Sequence, residues 1–97
     1  MRVRTHPGEV LREEFLKPLG MSANALAAAL QVPANRITEI IRGRRDVSAD
    51  TAIRLGRYFG TSAEFWLNLQ NAHDLSRIMA ERGKEIARTV KPRADAA

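Results

Sequence analysis

Ser22 to Arg45, SANALAAALQVPANRITEIIRGRR, holds two helical patterns separated by a single break. The Ser22 hydroxyl suits an N-cap, and the alanine-rich run to Leu30 combines high helix propensity with side chains small enough to admit a second helix. Gln31-Val32-Pro33 interrupts that run. Beyond it Ile37, Ile40 and Ile41 recur at i, i+3 and i+4, which predicts a helix from about Pro33 to Arg42, stopped by Gly43. Ala27 is the small residue expected at the crossing of the two helices, with Ile37 and Ile40 filling the space beneath. Burying each isoleucine stabilises by about 1.5–3 kcal/mol.

Working outward, His6-Pro7-Gly8-Glu9 reads as a helix entrance, because proline fits a first turn and Glu9, Glu13 and Glu14 suit the positive end of the helix dipole. The spacing predicts a first helix from Pro7 to Lys17, with Val10, Leu11, Phe15 and Leu16 inward and Pro18 and Gly20 ending it. Ser48 caps a fourth helix that carries Ala52, Ile53, Leu55, Gly56 and Phe59 inward and stops at Gly60. Thr61-Ser62-Ala63-Glu64 has the form of a capping box between Thr61 and Glu64. A long fifth helix follows, with Phe65, Trp66, Leu69, Ala72, Leu75, Ile78 and Met79 as its apolar positions, ending near Arg82. The expected organisation is one all-α domain over residues 1–82 and a short basic C-terminal tail over 83–97, its end from Pro92 to Ala97 frayed.

Composition narrows the function. A chain of 97 residues, 44% of them hydrophobic, carries one modest core. It contains no cysteine, so packing rather than disulfides must hold the fold. No apolar run approaches the roughly 20 residues needed to cross a bilayer, and the first residues lack the apolar stretch of a secretory signal. A cytoplasmic, nucleoid-associated protein with no membrane partner is expected. The formal charge of +5 favours polyanionic partners. Arg36, Arg42, Arg44 and Arg45 concentrate in one short segment opposed only by Glu39, which spans the second helix of the pair and the residues just after it.

Two short helices joined by a tight turn and followed by a basic segment meet the steric needs of a helix-turn-helix. The run Ser22-Ala23-Asn24-Ala25-Leu26-Ala27 through Ile37-Thr38-Glu39-Ile40-Ile41-Arg42-Gly43-Arg44-Arg45 resembles the Xre/Cro-type helix-turn-helix family. His6-Pro7-Gly8-Glu9 and Thr61-Ser62-Ala63-Glu64-Phe65-Trp66-Leu67-Asn68-Leu69-Gln70 resemble, more narrowly, the HigA (VapI-like) antitoxins of toxin-antitoxin operons. The resemblance implies a five-helix, lambda-repressor-like fold and a homodimer. It also implies repression at an operator in the chain's own promoter and neutralisation of a HigB-like toxin that cleaves messenger RNA. Two positions depart from the family pattern. Gln31 stands where glycine is common, at about 1 kcal/mol if its φ is positive, and Pro33 replaces a Ser/Thr that often opens the second helix of the motif.

By position in that family, Ala34, Asn35, Thr38 and Glu39 face bases, with Arg36 near the groove wall. Asparagine bonds adenine bidentately, glutamate accepts from cytosine, and alanine or a threonine methyl touches thymine. Phosphate contacts are expected from the amides at Ser22, Ala23 and Asn24 and from Arg42, Arg44 and Arg45. A single helix in one groove buries little area, so a two-fold dimer presenting half-sites about 34 Å apart is expected. Phe65, Trp66, Leu69 and Leu75 are the candidate interface.

Catalysis and cofactors have little support. His6 and His73 lie far apart in sequence, no nucleophile motif accompanies them, and the carboxylates lack metal-ligand spacing. RNA binding would call for aromatic stacking platforms, for which only Tyr58 and Phe59 are candidates. The remaining alternative is an orphan Xre-family regulator with no toxin partner.

Overall fold

The computed structural model describes residues 2–94 and, among them, five helices and no strand. Helix α1 covers residues 7–19 as three continuous stretches, Pro7–Val10, a π-wound Leu11–Leu16 and Lys17–Leu19. Helix α2 is Ala23–Leu30, α3 is Ala34–Ile41, α4 is Ala49–Phe59 and α5 is Ala63–Thr89. The expected all-α fold is the one observed.

Local chemistry sets the boundaries. The oxygens of Ser22, Ser48 and Ser62 accept hydrogen bonds from the amides of Ala25, Thr51 and Phe65, capping α2, α4 and α5. The cap of α5 is therefore Ser62, and the expected Thr61–Glu64 capping box does not form. Thr61 instead accepts a hydrogen bond of 2.8 Å from the Trp66 indole nitrogen. His6 caps α1, its Nδ1 accepting from the Gly8 amide at 2.9 Å. That bond requires a neutral ring nitrogen. Burial and the neighbouring His73 ring 4.9 Å away disfavour a proton, so His6 titrates below the ordinary histidine range despite Asp46 and Asp74 pulling it up.

The core gathers Leu11, Leu16, Leu26, Ala27, Leu30, Ile37, Ile40, Val47, Ala52, Leu55 and Trp66. The wider winding of α1 has a reason in this list. Closing on i+5 turns Leu11, Phe15 and Leu16 toward one face, and Phe15 meets Phe59 and Trp66 at 4.8 and 5.0 Å between ring centroids. Pro18 sits inside the last turn of α1 rather than ending it, and Gly20 closes the helix at φ 61°.

Two further expectations are corrected. Ile53 is 62% exposed and points away from the core, because α4 buries Thr51, Ala52, Leu55 and Gly56. The fifth helix does not end near Arg82 but runs to Thr89, so much of the supposed tail is helical. Apolar periodicity fades after Met79 while helix propensity does not. Ala80, Glu81, Lys84, Glu85, Ala87 and Arg88 are good helix formers, and Arg77–Glu81 and Arg82–Glu85 pair along the surface at 3.7 and 3.5 Å. One glycine, Gly83, is tolerated at about 1 kcal/mol. The last three residues of the expected frayed end, 95–97, lie outside the described residues.

Candidate nucleic-acid interface

Helices α2 and α3 meet through buried Leu26, Ala27 and Leu30 on one side and Ile37 and Ile40 on the other. The link between them turns on Gln31, which takes the left-handed conformation at φ 62° and donates its amide to the end of α2. A glutamine thus adopts the backbone that the family supplies with glycine, at about 1 kcal/mol. Pro33, at φ −60° and ψ 145°, precedes the first turn of α3 as its N-cap rather than opening it. It provides no side-chain oxygen to cap the first turn, but its carbonyl accepts the Arg36 amide at 3.0 Å.

The residues expected at the DNA surface differ in exposure. Ala34 and Asn35 are exposed at its start, Thr38 and Glu39 are half-buried along it, and Arg42, Arg44 and Arg45 are exposed in the loop that follows. The Thr38 hydroxyl donates to the Asn35 carbonyl at 3.4 Å, and the Arg44 guanidinium lies 4.0 Å from the Glu39 carboxylate. Ser22 and Asn24 are exposed at the start of α2, with Ala23 half-buried between them. The Ser22 oxygen is already occupied by the Ala25 amide, which leaves its hydroxyl proton to donate.

Arg36 is placed differently from its neighbours. It turns toward α4, where its Nη1 donates to Asp50 Oδ2 at 2.8 Å. The same oxygen accepts from Arg54 Nε at 2.9 Å, and Arg54 Nη1 reaches back to the Leu30 carbonyl at 2.7 Å. The Arg54 and Arg36 hydrogen bonds hold the Asp50 carboxyl below the usual carboxylate range, so it is ionised at neutral pH. Together with Arg45, Asp46, Ser48 and Thr51 these three side chains line an open cleft between α3 and α4.

Gln70 on α5 holds the basic loop from the other side. Only 4% exposed, it accepts a 2.7 Å hydrogen bond from the Val47 amide and donates to Asp46 and Asp74 at 3.2 and 3.0 Å. Gln70→Ala leaves the buried Val47 amide without its partner, a loss of about 1–3 kcal/mol. Thermal unfolding is expected to move down by roughly 5–20 °C, with DNA affinity falling because Arg42, Arg44 and Arg45 lose their tether; an unchanged midpoint would remove Gln70 from this role.

Asp50, Arg54 and Gln70 were not read from the sequence as part of the site. Asp50 and Arg54 did carry a local signal, an acid four residues before a base on one helix. Gln70 carried none, because its partner at Val47 is 23 residues away in sequence. Of the expected interface on α5, Trp66 has no exposed surface at all and belongs to the protomer's own core. Leu69 packs half-buried against the same core, whereas Phe65 and Leu75 are 38% and 69% exposed.

The helix-turn-helix family model matches residues 13–66, more than half of the chain. Virulence-associated protein I of Dichelobacter nodosus is 56% identical over 87 residues, covering 90% of this chain and 79% of the relative. Antitoxin HigA-1 of Vibrio cholerae is 42% identical over 85 residues, covering 88% and 79%. Among solved structures, the Pseudomonas aeruginosa antitoxin HigA with the higBA promoter superposes with a TM-score of 0.88 at 51% identity, over 91% of this chain and 96% of that one. The chain therefore belongs to the Xre-type helix-turn-helix family and, within it, to the HigA antitoxins, which are DNA-binding transcriptional regulators and not enzymes.

Proposed function

We propose that this chain represses its own operon as a homodimer bound to operator DNA, and that it neutralises a HigB-like ribonuclease toxin encoded beside it. The observation that carries the DNA half is the exposed polar start of α3 with an arginine loop at its far end. Ala34, Asn35, Arg36, Thr38 and Glu39 read bases in the major groove. Ser22, Ala23, Asn24, Arg42, Arg44 and Arg45 hold the flanking phosphates, and the protein works in the cytoplasm at the nucleoid.

Support for the dimer comes from α5, where Leu75 and Met79 are 69% and 48% exposed on a helix long enough to serve two copies. With Phe65 they offer apolar surface that the protomer leaves uncovered, while the interface role once expected of Trp66 passes to these neighbours. The toxin partner rests on membership in the HigA antitoxins.

Asn35→Ala tests the base-reading role. It is expected to relax preference at one operator base pair by about 1–3 kcal/mol while leaving affinity for random DNA nearly unchanged. Competition titration against a panel of single-base operator changes reads this out; an intact preference at every position removes Asn35 from the readers. Co-expression with the neighbouring open reading frame tests the toxin half. Recovery of a stable complex supports it, and growth arrest that the antitoxin does not relieve counts against it.

A further inference from the structure

We propose that Asp50 is a specificity-determining residue that restrains Arg36, keeping it available to a base edge and away from phosphate. This rests on the reading of α3 as the base-reading helix. Three contacts in series carry the argument. The Leu30 carbonyl, at the end of α2, holds Arg54 at 2.7 Å, Arg54 holds Asp50 at 2.9 Å, and Asp50 holds Arg36 at 2.8 Å. Arg54 is fixed at two points, so the Asp50 carboxylate has a defined position in the first turn of α4, where the helix dipole also favours it. Arg36 uses one nitrogen in this chain of contacts, and its remaining N–H donors have no other partner among the described residues.

Ion pairs this exposed add little to stability, so the arrangement is better explained by what it does to Arg36. A free arginine beside a DNA groove binds the nearest phosphate, which strengthens binding to every sequence alike. An arginine held by a carboxylate keeps its fork oriented for a guanine edge, and the carboxylate's own charge repels a phosphate from the same spot. Asp50 thereby lowers affinity for random DNA and raises the contrast between target and random sequence.

The test uses the full chain and two probes, a duplex enriched by the wild-type protein from a random-sequence pool and a scrambled duplex of equal length. Asp50→Asn keeps the shape and removes the charge. Its affinity for the scrambled duplex is expected to rise about eightfold at 0.1 M salt, with a salt slope steeper by roughly one, as one added phosphate contact requires. The ratio of enriched to scrambled affinity is expected to fall about fivefold or more, with relaxation at the same base pair that Arg36→Ala relaxes. Asp50→Glu returns all three quantities toward wild type. An Asp50→Asn protein that melts normally and keeps its ratio and slope overturns the proposal. So does one whose ratio falls with no gain on scrambled DNA, since a merely structural role would act that way. If Arg36→Ala itself leaves every base preference intact, the underlying reading of Arg36 fails; if Arg36→Ala relaxes one position while Asp50→Asn is silent, only the role of Asp50 fails.

Discussion

Trp66→Ala is expected to destabilise the protein by about 3–5 kcal/mol, enough to leave a domain of this size marginally folded at 37 °C. Its ring is completely buried, faces Phe15 at 5.0 Å and Phe65 at 5.0 Å, and ties its indole N–H to Thr61. Alanine removes the packing between α1 and α5 and leaves a cavity at the point where the chain turns from α4 into α5. The expected drop in thermal midpoint is roughly 15 °C or more. Trp66→Phe, which keeps most of the packing and loses the hydrogen bond, should fall between the two proteins. A midpoint within a few degrees of wild type for Trp66→Ala would show that the α4–α5 junction is held elsewhere.

Gly8→Ala is the second large effect, at about 3 kcal/mol, the upper range for adding a methyl group to a closed space. A Cβ on Gly8 would run into the backbone carbonyl oxygen of Ile40, with the carbonyl carbon only 2.7 Å away. No rotamer relieves a collision with backbone. That carbonyl is itself fixed, since it accepts the Gly43 amide at 3.0 Å at the end of α3. The methyl therefore pushes α1 off the C-terminal end of α3, so thermal stability and DNA affinity should fall together. Calorimetry with a parallel binding titration checks both, and a stable Gly8→Ala protein with normal binding would contradict the close approach of α1 and α3.

Neither role was legible in the sequence, which pointed to Trp66 as interface and carried no sign of the contact between Gly8 and Ile40. The helix pair was readable because its signals are local: a serine cap, an alanine run, a break at Gln31-Val32-Pro33 and isoleucines at helical spacing. The start of α1 was readable from Pro7 and its acids, although the cap from His6 was not, since histidine lies outside the usual capping residues. Boundaries set by two competing local signals were harder. Thr61 and Ser62 both suit an N-cap, and the choice went to Ser62 because the Trp66 indole claims Thr61. The end of α5 was misread because amphipathic spacing stops at Met79 while propensity and surface ion pairs carry the helix on to Thr89. In the site, the exposed face of α3 followed from its apolar stripe by subtraction. The orientation of Arg36 did not, because it depends on Asp50, 14 residues away on another helix.

Each of these elements serves one arrangement, in which α3 is carried on a rigid core with its polar face outward. The most direct test is a competition titration at physiological salt between the chain's own promoter and random duplex of equal length, with footprinting of the promoter complex. The account predicts a preference of roughly a thousandfold or more, with protection centred on two major grooves about 34 Å apart. Equal affinity for both duplexes, or protection without regard to sequence, would contradict it.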